Sequence, residues 1–135
     1  MRYILLLLVS SLYTQVDVPD KYWLDDTNFE DVISDSSAFG DDNSDTIVVE
    51  FWAEFNADNC LEEWQDIKNA KYYRVDIEKA PKAKKEYRVR MVPTILIFKE
   101  GSVETSFKAG LDLSLPTDIA ELQETIDEIN TASAF

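Results

Sequence analysis

The stretch Val89-Arg90-Met91-Val92-Pro93-Thr94-Ile95-Leu96-Ile97-Phe98-Lys99-Glu100-Gly101 decides how this 135-residue chain reads. Thr94 to Phe98 is an apolar run of strand length, set directly after a proline. A run of that kind suits a strand whose two faces are both covered, because neither face offers water a polar side chain. Lys99-Glu100-Gly101-Ser102 supplies turn residues, and Val103 to Phe107 follows as a second strand. The segment is therefore expected to fold as a β-hairpin.

Working outward, Thr46 to Ala53 (Thr-Ile-Val-Val-Glu-Phe-Trp-Ala) is another mostly apolar run of strand length. Tyr72 to Ile77 and the short Tyr22-Trp23-Leu24 also read as strands. Helical spacing fills the gaps between them. Thr27-Asn28-Phe29-Glu30 has the pattern of a capping box, ahead of an apolar face of Phe29, Val32 and Ile33. Asp58 or Asn59 is placed to cap a short helix carrying Leu61, Trp64 and Ile67. Ala80 to Val89 reads as a basic helix with Pro81 in its first turn. Ile119, Leu122, Ile126 and Ile129 mark a last amphipathic helix beginning near Thr117. The order βαβαβαββα, with helices for both sheet faces, is an α/β sandwich.

The size, 15.5 kDa, is that of one domain. Residues 17–130 are expected to form it, with 1–16 as an apolar leader and 131–135 as a tail. In the leader, Met1 and Arg2 precede an apolar run from Tyr3 to Val9 and then Ser10 and Ser11. That is the pattern of a secretory signal, too short to span a bilayer, which takes about 20 apolar residues. Cleaved, it implies an extracytoplasmic protein. Retained, it implies an apolar arm held inside a larger assembly, such as a virion or a multisubunit membrane complex.

Composition excludes several chemistries. There is no histidine and only one cysteine, Cys60. A Cys/His zinc site, a Ser-His-Asp triad, a Cys-His pair and an intrachain disulfide are all ruled out. The net charge of −14 argues against binding a phosphate backbone, and no nucleic-acid partner is expected. The charge is unevenly spread. Asp17 to Glu62 holds fourteen acids and one base, whereas Lys68 to Arg90 holds nine bases and three acids. These runs read first as solvated faces, and second as docking faces for a charged partner. Asp41-Asp42-Asn43-Ser44-Asp45 has a calcium-loop look but lacks the glycine and glutamate such a loop needs. Neither a metal nor any other cofactor is expected.

Three segments together resemble the thioredoxin family, over Tyr22 to Ile129. They are Val48-Val49-Glu50-Phe51-Trp52-Ala53-Glu54-Phe55, the stretch around Val92-Pro93-Thr94, and Phe107-Lys108-Ala109-Gly110. The resemblance implies a thioredoxin-like fold with a central mixed sheet and a cis peptide bond before Pro93. It also implies a groove beside that proline, walled by Phe55, Met91 and Val92, in which an extended partner segment pairs with the backbone. Family members carry Cys-x-x-Cys after the strand's last aromatic. Aligned without a gap, those two places fall on Asn56 and Asn59, with Cys60 one residue beyond; a one-residue insertion would put Cys60 on the second place and leave the first empty.

Dithiol exchange takes two thiols, so the chain is expected not to be a dithiol oxidoreductase and, more broadly, not an enzyme. A single-thiol reaction at Cys60 is an alternative, favoured by a helix N-terminus and opposed by Asp58, Glu62 and Glu63. Glu50 falls where the family carries a buried acid, and Tyr72 where it carries a nearby lysine. A buried acid without a dithiol to serve is expected to be a hydrogen-bonded structural group. The expected function is a redox-inactive binding or structural module that works through the groove, the leader and the charged faces. An acidic chaperone of the secretory compartment is the remaining alternative.

Overall fold

A computed structural model describes residues 18–35 and 46–132. The leader, the Asp41–Asp45 run and the last three residues lie outside the described residues. Five strands form one sheet in the order β1-β3-β2-β4-β5, namely β1 (Trp23–Leu24), β2 (Thr46–Trp52), β3 (Lys71–Asp76), β4 (Thr94–Lys99) and β5 (Ser102–Lys108). β1, β3 and β2 run parallel, while β4 is antiparallel to both β2 and β5. The sheet is therefore mixed, as expected. The β4–β5 hairpin turns through Glu100 and Gly101, at φ 52° and 84°. Positive φ at both central positions matches the twist of the strands, and glycine takes the second without steric cost.

Alternation along the strands divides the core. Ile47, Val49 and Phe51 of β2 meet Leu96 and Phe98 of β4 on one face, under α1 (Phe29–Asp35) and α2 (Pro81–Glu86). On that face Phe29 packs edge-on to Phe98, with ring centroids 6.2 Å apart. Val48, Ile95 and Ile97 project to the other face, where α3 (Ile119–Ala132) covers them with Leu122 and Ile126. Each fully buried side chain of this size contributes about 1.5–3 kcal/mol. α3 is also tied to the sheet by polar contacts: the buried Lys99 Nζ donates to Thr46 Oγ1 at 3.1 Å and to Asn130 Oδ1 at 3.3 Å.

Three local expectations are corrected. No α-helix follows β2; the chain makes two short 3₁₀ turns instead, Glu54–Asn59 and Glu62–Asp66. Asn56 and Glu63 leave helical φ/ψ inside those turns, so the Leu61, Trp64, Ile67 spacing never extends into a helix. The capping box does not form either. Asp25 takes its place, accepting from the Thr27 N–H at 2.8 Å and from the Thr27 hydroxyl. Finally, α3 continues through Thr131 and Ala132, two residues that were expected in the tail.

Candidate functional site

The C-terminal end of β2 delivers the chain into the turn Glu54–Asn59, which faces the loop before β4. That loop carries a cis Val92–Pro93 bond. Asn56 joins the two: its Nδ2 donates to Val92 O at 2.7 Å and to Leu113 O at 2.9 Å. Asn59 Nδ2 donates to Asn56 Oδ1 at 2.8 Å and to Leu113 O at 3.0 Å. The side chains at the two expected cysteine places are thus in direct contact, and each amide spans to a third segment, the loop after β5.

Around this hub two apolar side chains stand exposed among acids, Glu54, Asp58 and Asp112. Phe55 is 74% exposed and Leu111 is 91% exposed, while Met91 is half-buried. Val92 does not form a side wall as expected, because its side chain is buried in the core under α1 and α2. Its contribution to the site is backbone. Pro93 is buried beside it. Leu111 and Leu113 were missed in the sequence; their signal was the alternating Leu111-Asp112-Leu113-Ser114-Leu115 after Gly110.

Beneath the turn, Glu50 is fully buried on the α3 face and is fully engaged. Its Oε2 accepts from the Leu61 N–H at 2.9 Å, and its Oε1 accepts from the Tyr72 hydroxyl at 2.6 Å. Arg74 Nη2 lies 3.4 Å from Oε1, its Nη2 also donates to Leu61 O at 3.2 Å, and its Nε donates to the Tyr72 oxygen at 2.8 Å. The buried carboxylate is thus hydrogen-bonded and ion-paired within its own protein, which offsets the cost of its burial. The sheet register supplies Arg74, which pairs directly with Glu50 across β2 and β3. Burial, reinforced by the Glu50 charge, pushes the Tyr72 phenol well above its usual range. For Arg74, burial pulls the other way but is outweighed by the Tyr72 oxygen and Glu50, so the guanidinium is held more firmly charged.

Cys60 is half-buried and closes the C-terminal end of the 3₁₀ turn, its N–H donating to Ala57 O at 3.3 Å. It does not start a helix, so the expected helix N-terminal stabilisation of its thiolate is absent. Burial raises its pKa above the ordinary value; Arg74 opposes this, and Glu50 and Glu62 add to it. Among the described residues, no cluster of three cysteine or carboxylate side chains is arranged to hold a metal ion.

A mixed sheet with helices on both faces, and a cis-proline loop facing the turn after its central strand, defines a thioredoxin-like fold. The thioredoxin family model matches residues 21–126, and the chain belongs to the thioredoxin family. It is similar to a thioredoxin of Rickettsia typhi, at 35% identity over 48% of this chain and 68% of that protein. It is also similar to thioredoxin-2 of Pyricularia oryzae, at 43% identity over 30% of this chain and 25% of that protein. Among solved structures, a Halobacterium salinarum thioredoxin mutant superimposes with a TM-score of 0.61 at 20% identity, covering 78% of this chain and 87% of that one. A Plasmodium falciparum thioredoxin does so with a TM-score of 0.59 at 15% identity, over 78% and 96%. The expectation that the chain is not an enzyme is overturned by these relatives, which are named thioredoxins, a family of oxidoreductases. The chain has a single cysteine, the half-buried Cys60, so it carries no Cys-x-x-Cys pair.

Proposed function

We propose that this chain uses its thioredoxin-like domain to hold an extended segment of a protein partner against the cis-proline loop. The observation that supports the reading is the convergence of three segments on the Asn56 hub, with Phe55 and Leu111 left exposed around the Val92 backbone. Isolated exposed apolar residues are ordinary, but a pair beside a cis-proline loop suits recognition of an extended segment, which would compete with the Asn56 amide for Val92 O. Thiol chemistry in one chain is confined to Cys60, so any exchange cycle there draws its resolving thiol from another molecule. The acidic and basic runs favour a standing place beside a charged partner in a larger assembly. Export directed by the leader, residues 1–16, is the alternative to that placement; the intact mass of protein from its natural source separates them, loss of the leader supporting export and its retention the assembly.

The groove is tested with carboxymethylated insulin B chain, an extended polypeptide with no free thiol, followed by backbone amide NMR. Shifts centred on Phe55, Met91, Val92 and Leu111, lost in Phe55→Ser, are the expected result. Saturable binding that leaves these amides unmoved refutes the proposal.

A further inference from the structure

The basic run of the sequence divides in two at α2. The start of the helix is already matched to acids: Asp26 accepts from the Lys82 and Ala83 N–H groups, and Glu30 lies near the Lys82 ammonium. At the other end, Lys84, Lys85, Arg88 and Arg90 gather around a depression of about 300 Å³, with Val89 completing its lining and no acid among the residues that form it. Glu86, the acid between them in sequence, turns toward Glu30 and Tyr87 instead. None of the four cations forms an ion pair with a described residue. We propose that this depression docks an acidic segment of a protein partner, a short run of aspartates and glutamates. The proposal rests on the reading of a charged protein partner given above, and names the residues that meet it.

Three observations carry that chemistry. The first is charge complementarity. In a chain of net charge −14, four cations converge here, so an acidic segment repelled by much of the surface is held at this face and in one orientation. The second is Arg88. It follows α2 at φ 54°, a left-handed conformation that residues other than glycine and asparagine adopt only at a cost. Its side chain is exposed and unpaired among the described residues, so nothing within them offsets that cost. Strain held at such a position points to a contact made outside the chain. The third concerns the kind of anion. The backbone N–H groups at this end are already used, Arg88 donating to Lys85 O at 3.2 Å and Val89 to Lys84 O at 2.9 Å. A phosphate group is favoured by free, converging N–H groups, which this end of the helix lacks. Carboxylates spread along a polypeptide are met by long cationic side chains alone. The depression shares no residue with the groove of Phe55, Met91, Val92 and Leu111, although Arg90 adjoins Met91 in the chain.

The probe is a capped peptide of alternating glutamate and serine, titrated into the full-length protein at low salt while backbone amides are followed by NMR. Its glutamine counterpart and inorganic pyrophosphate are the comparisons. The expected result is a saturable shift of the Arg88, Val89 and Arg90 amides, with the glutamine peptide at least fivefold weaker. Affinity falls about tenfold between roughly 20 and 300 mM salt, because the contacts are exposed and screened. Arg88→Gln/Arg90→Gln weakens binding about fivefold and leaves the fold intact, since both side chains are exposed. Arg88→Gly weakens it about twofold while raising Tm by about 4 °C, because glycine removes the charge and the strain together. No saturable shift by about 10 mM, where a site with a Kd of about 1 mM is mostly filled, overturns the proposal. So does equal affinity for the glutamine peptide, tighter binding of pyrophosphate, unchanged affinity in the double variant, or a dimer of this chain that the double variant abolishes. Shifts at residues 88–90 with none at Phe55 and Leu111 sink the groove and leave this site standing; the reverse pattern sinks this site alone.

Discussion

Replacing Asn56 with alanine has two consequences of opposite sign. The amide donates to Val92 O and Leu113 O and accepts from Asn59. Leu113 O keeps a donor, because Asn59 still reaches it at 3.0 Å, but Val92 O loses its side-chain partner. At about 1 kcal/mol for each intramolecular hydrogen bond, losing two to three of them costs about 2–3 kcal/mol. For a domain of this size that lowers Tm by roughly 10 °C. Asn59→Ala removes two bonds but leaves both carbonyls held by Asn56, so about 1 kcal/mol is expected. Binding moves the other way. With Asn56 gone, the Val92 carbonyl is open to an N–H of an extended partner, worth about fivefold in affinity for one added hydrogen bond. Urea denaturation of the two variants and the parent measures the first effect, and titration with carboxymethylated insulin B chain measures the second. An Asn56→Ala protein within about 0.5 kcal/mol of the parent refutes the hub, since ordinary surface substitutions stay within that band. A less stable variant that also binds more weakly refutes the claim that Asn56 competes for the groove's acceptor.

Three further outcomes follow from the same geometry. Glu50→Leu leaves the Arg74 guanidinium buried without its carboxylate, a loss of about 3–5 kcal/mol, and adding Arg74→Met restores most of it; urea denaturation that shows the double variant no better than the single would remove the ion pair from the account. Asn56→Cys/Asn59→Cys, with Cys60→Ser to leave two thiols, recreates the Cys-x-x-Cys spacing at side chains that already meet and is expected to form an intrachain disulfide; an oxidised sample that keeps both thiols, by intact mass, contradicts this. Tyr72 is held well above 10 and Tyr87 at about 12, in each case chiefly by burial, with Glu50 acting on Tyr72 and Glu86 on Tyr87. As pH rises past about 10 the unfolded chain sheds these phenolic protons first, so their contribution to stability is whole below that pH and falls above it. Phenolate absorbance that reaches completion in the folded protein at pH 10.5 contradicts this.

The sheet was legible in the sequence because each strand announces itself without help from tertiary structure. Thr94 to Phe98 and Thr46 to Ala53 are apolar at successive positions, and the observed strands differ by a residue at most at either end. The helix expected after β2 was not legible as absent. Leu61, Trp64 and Ile67 have helical spacing, but Leu61 is pinned by its N–H to Glu50, and its own carbonyl is drawn to Arg74. A side chain eleven residues upstream competes with the helix for that N–H, which no local pattern reveals. The capping box failed for a nearer reason: Asp25, two residues before Thr27, takes both the Thr27 N–H and its hydroxyl. In the site, Glu50 and the two asparagine places were legible from the resemblance, whereas Leu111 depended on how the loop after β5 folds back.

The two asparagines and the buried ion pair explain one another. Here Glu50 holds four groups of its own protein together: the Leu61 N–H, the Tyr72 hydroxyl, Arg74 and, through Arg74, the Leu61 carbonyl. Asn56 and Asn59 do the same on the surface, with bonds that tie the 54–59 turn, the cis-proline loop and the loop after β5 into one unit. Both changes draw rigidity from positions that the family devotes to reaction. With cysteines in place of Asn56 and Asn59, Tyr72 still stands where the resemblance puts the family's lysine, so a slow dithiol is expected. Insulin reduction by Asn56→Cys/Asn59→Cys, alone and combined with Tyr72→Lys, separates the two contributions. A rate already at its ceiling before Tyr72 is changed would show that the buried network does not limit the chemistry.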